Sequence, residues 1–366
     1  MNVIVIGAGV IGAAVAESLA QRGASVTVLD MRSPGRGASQ ASAGILAPYI
    51  EADSATPLLE LGTRSLALYD AWIARLRETS GRPIEYARTG TLEVALDEAG
   101  ETRLRRDLAW LASAGVNAEW LDAATVRSAE RAVSDAARGG VLIPSHGLVG
   151  VTALIAALVQ SARLAGAVFT SPVEAALVEP RRDGVSVRAG EALHAADAAV
   201  IAAGSWSRRV RVAGVAALPV RPVRGQLLHL SWTAADLPSR VVWGPGCYTV
   251  PWTDGSLLVG ATMEDVGFDE RSTVDGVQTL TAAVRSLLPG SAAATVDAVR
   301  VGLRPATPDG LPAIGPLARA PRVTIATGHF RNGILLAPLT AEIVTASVLD
   351  GRVDEMSGVV SPNRFL

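Results

Sequence analysis

Val3-Ile4-Val5-Ile6-Gly7-Ala8-Gly9-Val10-Ile11-Gly12 stands at the head of the chain. An apolar run leads into a glycine-rich turn. Small and apolar residues follow over 13–21, closed by Gly23, and a second apolar run over 25–29 ends in Asp30. The order reads as strand, turn, helix, strand. Gly7 permits the tight turn, Gly9 lets a pyrophosphate approach the backbone, and Gly12 lets the helix lie close to the strand. The helix start at Val10 and Ile11 offers amide N–H groups and the positive end of a dipole to phosphate. Asp30 stands where a carboxylate accepts hydrogen bonds from a ribose. Glycines also mark ordinary strand–helix turns, so the spacing alone is weak. The agreement of both strands, the helix and the terminal acid points to dinucleotide binding. The motif does not separate NAD from FAD. Asp30 disfavours the 2′-phosphate of NADP, and the basic neighbour Arg32, just past Met31, weakens that argument.

The chain's 366 residues are enough for a large core and two domains. It is 49% hydrophobic with net charge −2, so it reads as a soluble globular protein with no basic surplus for nucleic acid. The single cysteine, Cys247, excludes a disulfide within the chain and fits a reducing cytosol. The N-terminus enters a strand without a charged leader, so no signal peptide is expected. No apolar run approaches the ~20 residues of a membrane span. His146, His194, His229 and His329 have no metal-ligand spacing, so no metal site is expected.

Past Arg32 the chain carries almost no bulk until Ile45-Leu46-Ala47-Pro48. A flexible loop is one reading; a backbone lying against a flat ligand is the other, and the apolar exit favours it. Helical spacing predicts helices over 57–79, 101–114, 122–130 with Asp122 as N-cap, 151–166, 274–288 and 334–349, the last with Pro338 in its first turn. Strands are expected over 90–96 and 139–143, then a buried one over 168–170 and a meander through 187. His146 reads as a turn residue rather than a catalyst. A short buried strand over 197–204 returns to the first sheet and brings Ala203 and Gly204, followed by Ser205-Trp206, near the Gly7 turn. Between 219 and 266, strands over 224–230, 240–242, 247–250 and 256–260 are separated by Pro and Gly, which predicts an antiparallel sheet.

Two arginines follow strands at Gly/Pro-rich turns: Arg304 in Gly302-Leu303-Arg304-Pro305, and Arg331 in Gly328-His329-Phe330-Arg331-Asn332-Gly333. A guanidinium binds a carboxylate in a bidentate way, although a structural ion pair is its commoner fate. Asn332-Gly333-Ile334 reads as a second helix N-terminus, whose dipole would stabilise negative charge beside it.

Together the blocks resemble the D-amino-acid oxidase family of FAD enzymes, and most closely its glycine-oxidase-like members of thiamine biosynthesis. The resemblance covers essentially the whole chain. It is carried by the Gly7–Gly12 turn, Ala38-Ser39 with Ala43-Gly44-Ile45-Leu46, Gly204-Ser205-Trp206, Val223-Arg224-Gly225, Cys247-Tyr248-Thr249-Val250-Pro251, Gly260-Ala261-Thr262-Met263, Gly302-Leu303-Arg304-Pro305, and Gly328 through Pro338.

The implied fold is α/β: a discontinuous Rossmann-type FAD-binding βαβ domain (1–50, 139–218 and 295–366) with an α+β substrate domain built on an antiparallel sheet (51–138 and 219–294). The implied cofactor is non-covalent FAD. Its ADP end would meet the Gly7–Gly12 turn and Asp30, with Val173 on the adenine side, and its further contacts would be Met31, Arg32, Ala38, Ser39, Ala43, Gly44, Ile45, Leu46, Ala203, Gly204 and Trp206. Its ring would lie on the backbone of His329, Phe330, Arg331, Asn332, Gly333, Ile334 and Leu335. The resemblance gives Arg304 and Tyr248 the substrate carboxylate, and places Met263 and Arg331 in the pocket. The implied reaction passes hydride from the Cα of glycine or another small amino acid or amine to flavin N5. Dioxygen then becomes peroxide, and the imino acid serves thiazole synthesis. Such members carry His before Cys-Tyr, whereas this chain has Gly246, which extends the expected substrates to sarcosine, small N-alkyl glycines or D-amino acids. Alternatives are a dehydrogenase with a non-oxygen acceptor and an FAD-dependent tRNA-modification module, which net charge −2 disfavours. A cytoplasmic homotetramer without nucleic-acid or membrane partners is expected.

Overall fold

Asn2–Ile6 forms the centre of a six-stranded sheet in the computed structural model, which describes residues 1–50, 54–232 and 236–366. Ser25–Leu29 and Ala198–Ile201 flank it in parallel. Ala320–Thr327 lies beyond Ala198–Ile201, also in parallel, and Ala313–Leu317 closes that edge as an antiparallel partner. Helices Val10–Gln21, Val151–Leu164 and Ala337–Asp350 cover one face, with Pro57–Ser80 against them. The other face carries a four-stranded meander of Ala175–Arg181, Gly184–Ala189, Ala192–Ala196 and Arg211–Val212. The strands read as continuous apolar runs because both faces of this sheet are covered.

The second body is an eight-stranded sheet. Its order is Thr295–Ala306, Arg221–Ser231, Ser256–Gly260, Cys247–Pro251, Val241–Gly244, Thr91–Ala95, Gly139–Ile143 and Glu119–Asp122. Helix Val274–Leu287 packs on it through Leu280, Val284 and Leu287. Helix starts obey their sequence signals: Thr56, Asp97, Asp122 and Thr273 each accept a hydrogen bond from a first-turn amide.

The four strands expected between 219 and 266 pair antiparallel, and the sheet continues beyond Val241–Gly244 into Thr91–Ala95, which runs parallel to it. Strand pairing between segments so far apart in the chain leaves no local signal. Gly139–Ile143 and Thr295–Ala306 belong to this sheet rather than to the nucleotide half; apolar alternation marks a strand without naming its partner. The boundary expected at residue 51 lies outside the described residues. Val168–Thr170 is an outermost strand, with Val168 57% exposed, rather than a buried one. The last long helix begins at Ala337, not 334. Phe330 takes φ 48° and residues up to Leu336 turn irregularly before Pro338 seats the first helical turn. Finally, Gly246 sits exposed at φ 77° in the tight hairpin joining Val241–Gly244 to Cys247–Pro251, beside Ala283. Such backbone favours glycine.

Among the described residues, no helix is long and apolar enough to cross a membrane, and no group of His, Cys, Asp and Glu could hold a metal.

Candidate active site

One continuous groove runs between the two bodies, from Asp30 and Val173 past the Gly7 turn to Tyr248 and Arg304. It starts where the parallel strands end. Gly7 N donates to Leu29 O at 2.8 Å, which holds the turn across the strand ends. A Cβ on Gly7 would fall 2.4 Å from the Ala202 carbonyl, and one on Gly12 would fall 1.9 Å from the Gly7 carbonyl. Both positions therefore need glycine for close backbone packing. The strand end at Ala202 and Ala203 lies beside the turn, as its sequence position implied.

Asp30 accepts hydrogen bonds from Ala8 N at 2.6 Å and Arg32 N at 2.7 Å. Burial raises its carboxyl pKa above the usual value, opposed by those two amides and by the Arg32 charge. The Arg32 guanidinium pairs with Glu270 at 2.6 Å and lies 4.6 Å from the Trp206 ring centroid. The loop after Asp30 is tied to the turn: Ser39 Oγ accepts from Val10 N at 3.0 Å. It is also pressed against the second sheet, since a Cβ on Gly302 would stand 2.9 Å from Ala41 Cβ. This loop is thus held at both sides rather than free.

At the far end the segment after Ala320–Thr327 lines the groove with His329, Phe330, Arg331, Asn332, Gly333, Ile334 and Leu335. Phe330 N donates to Pro305 O at 2.9 Å, so this segment is pinned next to Arg304. Tyr69 and Ser65 of the long helix donate to the carbonyls of Ile334 and Leu335. His329 is buried, its Nε2 3.0 Å from Thr340 Oγ1, and burial lowers its pKa to about 3. It is therefore a neutral packing group at neutral pH.

The eight-stranded sheet supplies the wall opposite. Arg304 Nη1 donates to Thr262 O at 2.9 Å, and its guanidinium lies over Gly225. Tyr248 lies over Gly260, 4.8 Å between ring centroids from Trp243. Met263, 62% exposed, and Arg331 stand at the rim.

The groove therefore gathers Arg304, Tyr248, Arg331 and Met263, and nearly all the residues expected around the cofactor. Two of the expected contacts do not line it. Gly12 packs beneath Gly7, and Leu46 is fully buried in the helical core. Gly246 does not line it; a Cβ there would meet Ala283 at 3.5 Å. Cys247 points into the core behind the sheet, where burial pushes its thiol up to about 12, which fits a cofactor held without a thioether. Sequence reasoning missed Trp243, Thr262, Gly225, Ser42 and Glu174 as lining residues. Of these, Gly225 and Thr262 stand in blocks that carry the resemblance and Ser42 in the small-residue loop, whereas Trp243 and Glu174 carried no signal.

The groove fits FAD. A glycine turn without room for Cβ atoms and a held acid stand at one end, and a backbone-lined face meets a cation and a phenol at the other.

Residues 2–347 match the family model described as DAO, FAD dependent oxidoreductase. A glycine oxidase of Geobacillus kaustophilus (strain HTA426) is 34% identical over 344 residues, spanning 94% of this chain and 91% of that one. A bifunctional ThiO/ThiG protein of Synechocystis sp. is 34% identical over 372 residues. This chain spans about half of that relative's length, 54%. The crystal structure of glycine oxidase from Geobacillus kaustophilus superposes with a TM-score of 0.93 at 32% identity, covering 100% of this chain and 98% of that one.

Proposed function

The chain belongs to the DAO family of FAD-dependent oxidoreductases, and we propose that it oxidises glycine or a comparably small amino acid, with dioxygen as the final acceptor. The observation that carries this reading is that Arg304 and Tyr248, each laid over a glycine of one sheet, line the same groove as the His329 to Leu335 segment. Arg304 takes the substrate carboxylate in a charge-assisted pair, and the Tyr248 hydroxyl donates to the same group. Held by that end, a small amino acid presents its Cα–H toward the backbone-lined face, and fixed orientation supplies much of the rate. FAD held there would supply the acceptor for the hydride from Cα and the route of its two electrons to dioxygen, which leaves as peroxide. Water then hydrolyses the imino acid to the oxo acid and ammonia, unless thiazole synthesis captures it first.

No proton-abstracting side chain is required at Cα. His329 is engaged by Thr340 and held neutral by burial, and Asp30 stands at the opposite end of the groove. Trp243 and Tyr248 line the same groove as Arg304 with their rings 4.8 Å apart. This reading takes a cytoplasmic enzyme, active as a homo-oligomer, with glycine, sarcosine and small D-amino acids as the panel to be compared.

The test is a substrate panel on the purified, FAD-loaded protein, read by peroxide release and oxygen uptake. Peroxide from glycine supports the proposal. Dye reduction without oxygen uptake would instead favour a dehydrogenase, and no turnover of any amino acid would overturn it.

A further inference from the structure

Val223-Arg224-Gly225-Gln226 runs through the middle of the substrate wall, yet only Gly225 lines the groove. Along a strand, successive residues face opposite sides. Gly225 lies beneath the Arg304 guanidinium, while Arg224 and Gln226 point the other way into buried polar surroundings.

Those surroundings form a closed network. Arg224 is 4% exposed; its guanidinium pairs with Glu264, lies 3.2 Å from Asp269 and donates to Arg271 O at 3.0 Å. The second oxygen of Glu264 accepts from Gln226 Nε2 at 2.8 Å and from the Thr262 hydroxyl at 2.5 Å. Gln226 also bonds Thr273, through Nε2 to Oγ1 at 2.9 Å and through Oε1 from N at 2.9 Å. Gly276 leaves the space this amide fills, since a Cβ there would stand 2.3 Å from Gln226 Nε2. Burial works against the Glu264 charge, but the hydrogen bonds from Arg224, Thr262 and Gln226 outweigh it and hold its carboxyl below the usual range.

The network reaches the groove through Thr262. After Ser256–Gly260 the chain stays paired beside Arg221–Ser231: Thr262 N donates to Gln226 O at 3.2 Å, and Arg224 and Glu264 exchange backbone bonds of 2.8 and 3.0 Å. The Thr262 hydroxyl donates to Glu264 and accepts from Gln226 N at 2.9 Å. Thr262 is thereby fixed on both main chain and side chain. Its carbonyl is the group that accepts from Arg304 Nη1 at 2.9 Å.

We propose that Glu264, with Arg224 and Gln226 behind it, is a positioning group that acts through the Thr262 carbonyl to set where Arg304 meets the substrate carboxylate. An arginine side chain has many rotamers, and ordering it before binding removes an entropic cost from the substrate complex. A network in which a half-buried carboxylate is hydrogen-bonded through both oxygens suits that task, because it holds one geometry. The proposal rests on the assignment of Arg304 to the substrate carboxylate.

The test uses FAD-loaded protein carrying Glu264→Gln or Thr262→Val, with Arg304→Ala as control. The readouts are KM and kcat for glycine, the Kd of acetate from the perturbed flavin absorbance, and FAD content. Both variants are expected to raise KM and the acetate Kd by about tenfold, with kcat within about threefold and FAD content unchanged. A role limited to folding would lower FAD content or stability and leave the acetate Kd of the folded fraction alone. Glycine KM and acetate Kd within about twofold of the parent in folded, FAD-loaded Thr262→Val overturn the positioning role, whether or not Glu264→Gln folds. If Arg304→Ala abolishes acetate binding while Thr262→Val retains it, only this inference fails. If Arg304→Ala binds acetate like the parent, the carboxylate assignment itself fails.

Discussion

The guanidinium of Arg304 lies on Gly225, 2.3 Å from where a Cβ on residue 225 would stand. Tyr248 and Gly260 repeat the relationship, with the phenol 2.4 Å from the corresponding point. Each glycine leaves room in its strand, and each of these spaces holds one polar side chain against the sheet. The cation and the hydroxyl therefore face the groove together.

A methyl group at position 225 should move Arg304 without disturbing the fold, because the obstructed atoms are the end of a flexible side chain. Gly225→Ala is expected to raise the glycine KM by about tenfold or more, with a melting midpoint close to the parent. Steady-state peroxide assays and a thermal melt of the same preparation check it. An unchanged KM would mean that Arg304 does not need this space.

Removing the cation altogether should cost more. Arg304→Ala is expected to lose on the order of 2–4 kcal/mol in kcat/KM for glycine, the range for truncating one partner of a buried charged contact. Tyr248→Phe removes a single hydrogen bond, and a loss of about 1 kcal/mol is expected. Comparing kcat/KM of the two variants tests the ranking, which fails if the tyrosine change is the more severe.

The nucleotide turn should separate fold from cofactor. At Gly12 an added Cβ meets the Gly7 backbone at 1.9 Å, and backbone cannot swing aside. Gly12→Ala should lower both the melting midpoint and FAD content. At Gly9 the nearest obstacle is Ser39 Oγ at 3.4 Å, ordinary contact. Gly9→Ala should therefore fold normally yet purify with little FAD. Equal FAD loading of parent and Gly9→Ala would remove Gly9 from the cofactor contact.

Stability should depend on pH through two buried imidazoles. His146, bonded to Thr91 Oγ1 at 2.7 Å, and His329 both have pKa values lowered to about 3, chiefly by burial. Their unfolded value is about 6.5. The unfolded chain thus binds more protons between these limits, so the stabilisation is full above pH ~6.5 and is lost as pH falls toward 3. Urea midpoints measured across this window should fall with pH, and His146→Asn should flatten the slope. The same slope in parent and variant would remove His146 from the effect.

Gly246→His should leave the preference among glycine, sarcosine and D-alanine unchanged, because position 246 faces Ala283 and not the groove. A shift toward glycine of more than about threefold in relative kcat/KM would show that the hairpin reaches the substrate after all.

The nucleotide end was legible because it is local: Gly7, Gly9, Gly12 and Asp30 belong to one strand–helix–strand unit whose spacing carries its own meaning. Arg304 and Tyr248 were nameable only through resemblance, because an arginine and a tyrosine on strands have many structural fates; Arg304 lies within its strand and not in the turn expected after it. Trp243 was silent, and Thr262 stood in a quoted block without a role. They enter the groove through register, Trp243 opposite Tyr248 and Thr262 beside Gln226, and pairing across the sheet is not written in either segment. The same non-locality misplaced Thr295–Ala306, whose long pairing with Arg221–Ser231 builds the substrate wall.

The central strand Asn2–Ile6 has a consequence for synthesis on the ribosome. Its partner Ser25–Leu29 emerges almost at once, but the other neighbour, Ala198–Ile201, and the strand beyond it, Ala320–Thr327, come far later. Until then an apolar strand edge stays open on the nascent chain, a template for wrong pairing. Cofactor capture must wait as well, since the segment from His329 to Leu335 follows all of these strands in the chain.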